Sequence, residues 1–200
     1  MKIVVASRNG HKVKEIAALW ADLGVELVSI DVVAPGTPLV EDEDTFEDNA
    51  RVKAEQAARA TGLPAIADDS GLEVDALDGA PGVRSARYAG EPCDDGRNNQ
   101  KLLAALAGVA APRPARYRCC AAFVDGARGL CLVRAGACEG EILTAPRGEG
   151  GFGYDPLFWL PALGKTMADI DLEMKNQLSH RASAFQALGA ALHAQGLVSR

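Results

Sequence analysis

The chain has no apolar run approaching the roughly 18 residues of a membrane-spanning helix. Its five cysteines (Cys93, Cys119, Cys120, Cys131 and Cys138) include no C-x-x-C pair and no zinc-binding spacing. The opening stretch Lys2-Ile3-Val4-Val5-Ala6 turns polar at once, too early for the core of a signal peptide. Together these absences set the expectation of a cytoplasmic protein with reduced thiols and no membrane contact. Cys119 and Cys120 stand side by side in an apolar stretch, where cysteine acts as a small hydrophobe. Positive charge is also short: 21 Lys and Arg face 27 Asp and Glu, a net charge of −6. That balance argues against polymeric nucleic acid, which is bound largely through counterion release. A single nucleotide, needing only a local cluster of cations, is not excluded. Internal repeats and low-complexity tracts are missing as well.

What is present suits one sizeable α/β domain. The chain has 200 residues, 48% hydrophobic and 24% charged, an ordinary globular composition. Ile3–Ala6 reads as a short strand, and residues 7–10 as a loop. A helix is predicted over 11–23, with Val13, Ile16, Leu19, Trp20 and Leu23 at helical spacing and Gly24 as its stop. Val25–Ile30 supplies the next strand, a βαβ opening. Residues 31–44 form a loop rich in proline and acid. Thr45 and Asp48 then resemble a capping box for an alanine-rich helix to about Ala60. Leu63–Ala67 is a short apolar segment ending in the acidic turn Asp68-Asp69, and residues 72–77 alternate like a half-exposed strand. A helix follows over 95–107. Strands over 117–124 and 130–137 make a hairpin around Asp125-Gly126, with a third strand through Ile142. The last helix spans 179–195.

The string Ala67-Asp68-Asp69-Ser70-Gly71 carries the most chemical information. Adjacent carboxylates are costly to desolvate unless a cation or a hydrogen-bond network offsets their repulsion. Hard oxygen ligands of this kind gather magnesium, which also grips phosphate. Glu41 offers a second carboxylate, although a solvated charge run is the usual explanation of Glu41-Asp42-Glu43-Asp44. Ser7-Arg8-Asn9-Gly10-His11-Lys12 lies between the first strand and the first helix, where backbone N–H groups can face an anion. Its spacing is not that of a P-loop. Gly150-Gly151-Phe152-Gly153-Tyr154-Asp155-Pro156 permits tight turns around an aromatic ring. Such a ring either stacks on a purine base or fills the core with Tyr154. Lys175, His180 and Arg181 add cations near the start of the last helix.

In this order the strings resemble the inosine triphosphate pyrophosphatase family. The likeness includes Thr45-Phe46-Glu47-Asp48-Asn49-Ala50, Leu63 to Leu72, Gly79-Ala80-Pro81-Gly82-Val83, Ser85-Ala86-Arg87-Tyr88, Gly151 to Pro156 and Ser179-His180-Arg181, and it spans nearly the whole chain. The resemblance implies an elongated α/β subunit with a long mixed central sheet, and a single domain over 1–200 whose two lobes flank a cleft. It also implies a homodimer and magnesium-dependent hydrolysis of ITP, dITP and XTP to the monophosphate and pyrophosphate. The family pattern places Asp69 as the base and a metal ligand, with Glu41 as second ligand. Ser7, Arg8, Asn9, Gly10, His11 and Lys12 would wrap the triphosphate beside Ser70. Phe152, Gly153, Tyr154 and Asp155 would take the base, while Lys175, His180 and Arg181 complete recognition. From sequence, Asp68 remains an alternative base, and the register of the acidic ligand near Glu41 is open by a residue. Arg8 stands where many relatives carry a small side chain. Rival readings are a Maf-like nucleotide pyrophosphatase of different base preference and a non-catalytic nucleotide-binding module.

Overall fold

The computed structural model describes residues 1–199. In chain order the elements are β1 (Lys2–Val5), α1 (Gly10–Leu19), β2 (Glu26–Ser29), α2 (Ile30–Val33), α3 (Phe46–Thr61), β3 (Ala65–Val74) and α4 (Asp95–Ala105). There follow β4 (Pro114–Asp125), β5 (Leu130–Ile142), β6 (Phe158–Leu160), β7 (Lys165–Thr166), α5 (Leu172–Leu178) and α6 (His180–Ala194). The strands form one seven-stranded sheet in the order β2-β1-β3-β4-β5-β6-β7. β1 runs parallel to β2 and β3, whereas β5/β6 and β6/β7 are antiparallel, so the sheet is mixed as expected.

The chain divides into two compact units. The first comprises Met1–Asp69, Cys119–Gly136 and the chain from His180; the second comprises Ser70–Arg118 and Ala137–Ser179. In the first unit, strand alternation builds a core on each face of the sheet. Ile3, Val5 and Ile66 pack with Ile16 of α1, with Trp20 just past its end, four residues before the predicted stop at Gly24, and with Ala184, Phe185, Leu188 and Leu192 of α6. The intervening residues Val4, Ala65 and Ala67 pack instead with Ile30 and with Ala50, Ala54, Ala57 and Ala58 of α3. Small alanines on one stripe of α3 let that helix lie close to the strands. The second unit has its own core, in which Leu72, Val74, Leu102, Leu106, Tyr117 and Phe158 meet.

Several local expectations are corrected. The acidic pair is not a turn: it lies inside β3, whose charges are compensated within the fold and need not sit at a solvent end. β5 runs unbroken to Ile142, so no separate third strand follows the hairpin. Residues 75–77 form a 3-10 turn rather than strand. The 31–44 loop begins with the last residues of α2. Short elements too brief to show periodicity, β6, β7 and α5, were not legible; α5 is a two-turn helix capped by the Asp171 carboxylate. All five cysteines are unbridged, and Cys119 and Cys120 both lie in β4.

Candidate active site

β3 is extended, so Asp68 and Asp69 leave opposite faces of the sheet. Asp68 continues the series of Ile66 toward α1 and α6. There Lys12 Nζ lies 3.1 Å from its Oδ2, and Arg181 donates from Nε and Nη2 to the same oxygen at 3.2 and 3.0 Å. Glu15, also buried, takes Arg181 Nη1 at 2.6 Å. Burial opposes the charge of Asp68, but Lys12, Arg181 and Lys53 outweigh it and hold the carboxyl far below the usual range. Arg181 is 1% exposed and its guanidinium is held by two carboxylates. The start of α6 comes close because β5 has Gly136 there: a Cβ would collide with the His180 carbonyl. His180 itself is buried in the first turn of α6.

Asp69 continues the series of Ala65 and Ala67 toward α3. Lys53, 3% exposed, donates to the Asp68 carbonyl oxygen at 2.6 Å and approaches Asp69 Oδ1 at 3.5 Å. It also meets Glu41 Oε1 at 2.5 Å. Glu41 is half-buried, while Asp42, Glu43 and Asp44 are exposed, so the acidic loop presents Glu41 to this lysine. Asn49 fixes the loop by accepting from the Glu43 N–H and donating to its carbonyl. Burial lifts the Asp69 carboxyl above its ordinary value; Lys53 and Lys12 offset this in part, and Glu41 and Asp68 add repulsion. Burial would likewise discharge Lys53, yet Asp69, Glu41 and Asp68 overcome it and raise its pKa.

The chemistry of the Asp69 and Glu41 carboxylates suits a hard divalent cation. On this face Asp69 Oδ2 is buried without a hydrogen-bond partner among the described residues; Asp68 Oδ1 is likewise unpartnered, but on the opposite face of the strand. Glu41 and Asp69 both approach Lys53 Nζ, at 2.5 and 3.5 Å. Among the described residues no group of three or more His, Cys, Asp or Glu side chains is clustered for a metal. The arrangement therefore fits a cation that keeps waters and phosphate oxygens, as magnesium does, rather than an all-protein cage.

The loop before α1 is ordered by its own side chains. Asn9 caps the helix, its Oδ1 accepting from the N–H groups of His11 and Lys12 at 3.0 and 3.3 Å. Ser7 Oγ accepts from the Asn9 N–H. Arg8 turns away to Asp31 and the Thr37 carbonyl. Gly10 begins α1 with open space around it, and His11 is exposed.

In the second unit, Ser70 follows in β3 and is half-buried. Asp155 organises the glycine-rich turn. Its Oδ2 accepts from the Phe152 N–H at 3.0 Å and from Lys175 Nζ at 2.9 Å, and its Oδ1 accepts from the Tyr117 hydroxyl at 3.0 Å. Gly151, at φ 75°, has no room for a Cβ against this carboxylate. Lys175 Nζ stands 4.7 Å from the centre of the half-buried Phe152 ring, a cation–π contact. Tyr154 packs into the core and donates to the Ser85 carbonyl. Gly153 follows Phe152 at φ 62°.

The sequence alone did not point to Lys53 or Glu15. The one signal it held was a charged side chain on a buried stripe: Lys53 among Ala50, Ala54 and Ala57, and Glu15 beside Ile16.

The fold is that of a mixed α/β protein with a buried carboxylate–cation site, a combination compatible with phosphate chemistry. Comparison with known proteins narrows it. A profile of the Ham1 family matches residues 3–191. A protein of Desulforamulus reducens named dITP/XTP pyrophosphatase is 52% identical over 187 residues, 93% of this chain and 92% of that one. A protein of the same name from Geobacillus kaustophilus is 52% identical over 188 residues, 94% and 92% of the two chains. Among solved structures, a HAM1 protein from Coxiella burnetii superposes with a TM-score of 0.88 at 41% identity, covering 97% of this chain and 99% of its own. The Staphylococcus aureus Ham1 protein gives 0.87 at 40% identity, covering 98% and 100%. The chain belongs to the Ham1 family, and the resemblance read from the ordered strings is upheld. Among the described residues no helix is long and apolar enough to cross a membrane.

Proposed function

We propose that this chain is a nucleoside triphosphate pyrophosphatase, hydrolysing ITP, dITP and XTP to the monophosphate and pyrophosphate and so removing deaminated purines from the nucleotide pool. The observation that carries the chemistry is Asp69: a buried carboxylate with one oxygen lacking a hydrogen-bond partner, beside Glu41 and Lys53. The names of the relatives support the substrate class.

Phosphoanhydride hydrolysis is mainly a matter of placing water in line and neutralising developing charge. Asp69 accepts the proton of the attacking water; the water oxygen bonds to phosphorus, the anhydride bond breaks and pyrophosphate leaves. The raised proton affinity of Asp69 suits a base. Glu41 and Asp69 would hold Mg2+, which when bound polarises the phosphoryl oxygens and offsets carboxylate repulsion. Lys53 keeps the two acids from repelling each other. Ser7, Asn9, Gly10, His11 and Lys12 would line the triphosphate, with Ser70 near the reacting end, and Lys12 supplies a charge that also steadies Asp68. Arg8, expected to join them, is instead engaged by Asp31 and the Thr37 carbonyl and braces the loop. Arg181 acts through Asp68 as a positioning residue, and His180 shares the start of its helix. Asp68, its carboxyl held far below the usual range, anchors these cations, so Asp69 is the base of choice.

In the second unit, the Phe152 turn takes the base. Phe152 gives the stacking face, Gly153 a close backbone, Lys175 a donor, and Asp155 and Tyr154 the frame. Hypoxanthine and xanthine carry an oxygen at position 6 where adenine carries an amino group, so a donor there discriminates between them. The family resemblance supports a single catalytic domain working as a cytoplasmic homodimer.

The test is product analysis with ITP, XTP, GTP, ATP and UTP, with and without magnesium. Magnesium-dependent pyrophosphate from ITP and XTP is expected. Orthophosphate, a preference for UTP, or binding without turnover would sink the assignment.

A further inference from the structure

Helix α4 has no part in the chemistry above, yet its first turns hold the peptide beside the stacking ring. The Gly153 N–H donates to Asp95 Oδ2 at 2.7 Å, and the Gly153 carbonyl accepts from Asn99 Nδ2 at 2.9 Å. Both polar groups of one peptide residue are thus taken by side chains one helical turn apart, which share a face of α4. With the Phe152 N–H held by Asp155, the backbone is pinned on both sides of the ring. The carbonyl of Gly153 also sets the orientation of the Asn99 amide: its Nδ2 must face that oxygen, which leaves Oδ1 buried without a partner among the described residues. A residue there for packing alone gives no reason to bury an unmet acceptor.

The same helix holds a second loop. Asn98 accepts from the Ala89 N–H at 2.7 Å and donates to the Ala86 carbonyl at 2.9 Å. The two loops are joined directly by Tyr154, whose hydroxyl reaches the Ser85 carbonyl at 2.8 Å. Gly153 itself sits at φ 62°, with no neighbouring atom within 4 Å of where a Cβ would stand. The hydrogen bonds from α4 add to those of Asp155 in holding this left-handed residue in place.

We infer that Asp95 and Asn99 are positioning residues for base recognition: by clamping the Gly153 peptide they fix the Phe152 ring in the attitude that stacks on a purine. The inference rests on the reading of Phe152 as the stacking face. Preorganisation of this kind lowers the ordering cost of binding and leaves the phosphate chemistry untouched. Its loss should therefore appear in KM and in base preference, not in kcat.

The experiment is steady-state kinetics with ITP and ATP on Asn99→Ala, Asp95→Ala, Asp95→Asn and Phe152→Ala, and on Asn99→Ala combined with Phe152→Ala. Asn99→Ala and Asp95→Ala are expected to raise KM for ITP about tenfold, with kcat within about twofold of the parent and a lower ITP-to-ATP preference. Asp95→Asn keeps an acceptor oxygen and should restore KM. In the Phe152→Ala background, Asn99→Ala should add less than about twofold, because the ring it positions is gone. Asp95 is exposed, so its variants leave the core intact. A raised KM for Phe152→Ala beside parental values for the α4 variants would overturn this inference alone. So would full additivity, or a parallel fall in kcat and melting temperature that Asp95→Asn fails to rescue. An unchanged KM for Phe152→Ala would overturn the stacking reading and the inference with it.

Discussion

Asp68 and Asp69 are neighbours in one strand and face opposite sides of the sheet, one meeting Lys12 and Arg181, the other Lys53. Adjacent acids that would repel in a turn are separated by the pleat, and each has a different cation in direct contact with its carboxylate. Their proton affinities are pushed in opposite directions as a result: Asp68 down, Asp69 up.

Neutralising the two should therefore have opposite effects on stability. Asp68→Asn leaves Arg181 and Lys12 without their shared oxygen charge and should cost about 3–5 kcal/mol, the range for breaking a buried pair. Asp69→Asn removes a charge that folding disfavours, and the melting temperature at neutral pH should hold or rise while turnover is nearly abolished. Thermal melts beside ITP turnover check both. A wild-type rate for Asp69→Asn would remove it from the base role.

Stability should also fall in acid for a reason located at Asp68. Its folded pKa lies below the ordinary value of 3.8, so its contribution is fully present above that value. It is lost as pH falls from there through the depressed folded value. Asp69 opposes this trend, since its raised folded value favours the protonated form. Denaturant melts of the parent and Asp68→Asn should converge as pH drops below about 4.

Lys53 offsets the charge of Asp69 and Glu41 from the α3 side. Lys53→Met should raise the proton affinity of Asp69 further, moving the acid limb of the kcat/KM profile to higher pH and lowering its plateau. A profile whose acid limb stays in place would show that Lys53 does not act on the base.

Metal dependence should be graded. Chelation is expected to abolish turnover, and Glu41→Gln should raise the magnesium concentration for half-maximal rate by about tenfold, as for loss of one charged oxygen contact. Asp42→Asn, on an exposed neighbour, should leave the titration unchanged.

Phe152→Ala should raise KM for ITP about tenfold with little change in kcat, from lost stacking worth about 1–3 kcal/mol. Lys175→Met should act in the same direction and lower base selectivity, since it removes both the cation over the ring and the partner of Asp155. KM and kcat measured separately for ITP and ATP decide this.

Much of the frame was legible along the chain. The alternation of Ile3, Val4 and Val5, the stripe Val13, Ile16 and Trp20, and the Thr45 cap of α3 are local patterns, and the structure has them near the expected places. The ordered strings around Asn9, Asp69 and Phe152 were legible for the same reason, each being a short contiguous signal. The short elements β6, β7 and α5 were not, because two to seven residues hold too little periodicity. Glu41 could not be told from Asp42 or Glu43, since all stand in one acidic loop and only contact with Lys53 separates them.

By itself, then, the sequence determined an α/β chain with paired acids following an apolar strand segment, a polar loop before a helix and an aromatic among glycines; that the strand runs on through the acids it did not determine. These depend on residues close in the chain and on the periods of strand and helix. Tertiary structure alone decided which acid is held ionised and which is left with raised proton affinity. The cations responsible come from α1, α3 and α6, far apart in sequence, and a one-residue step along an extended strand is enough to exchange one set for the other.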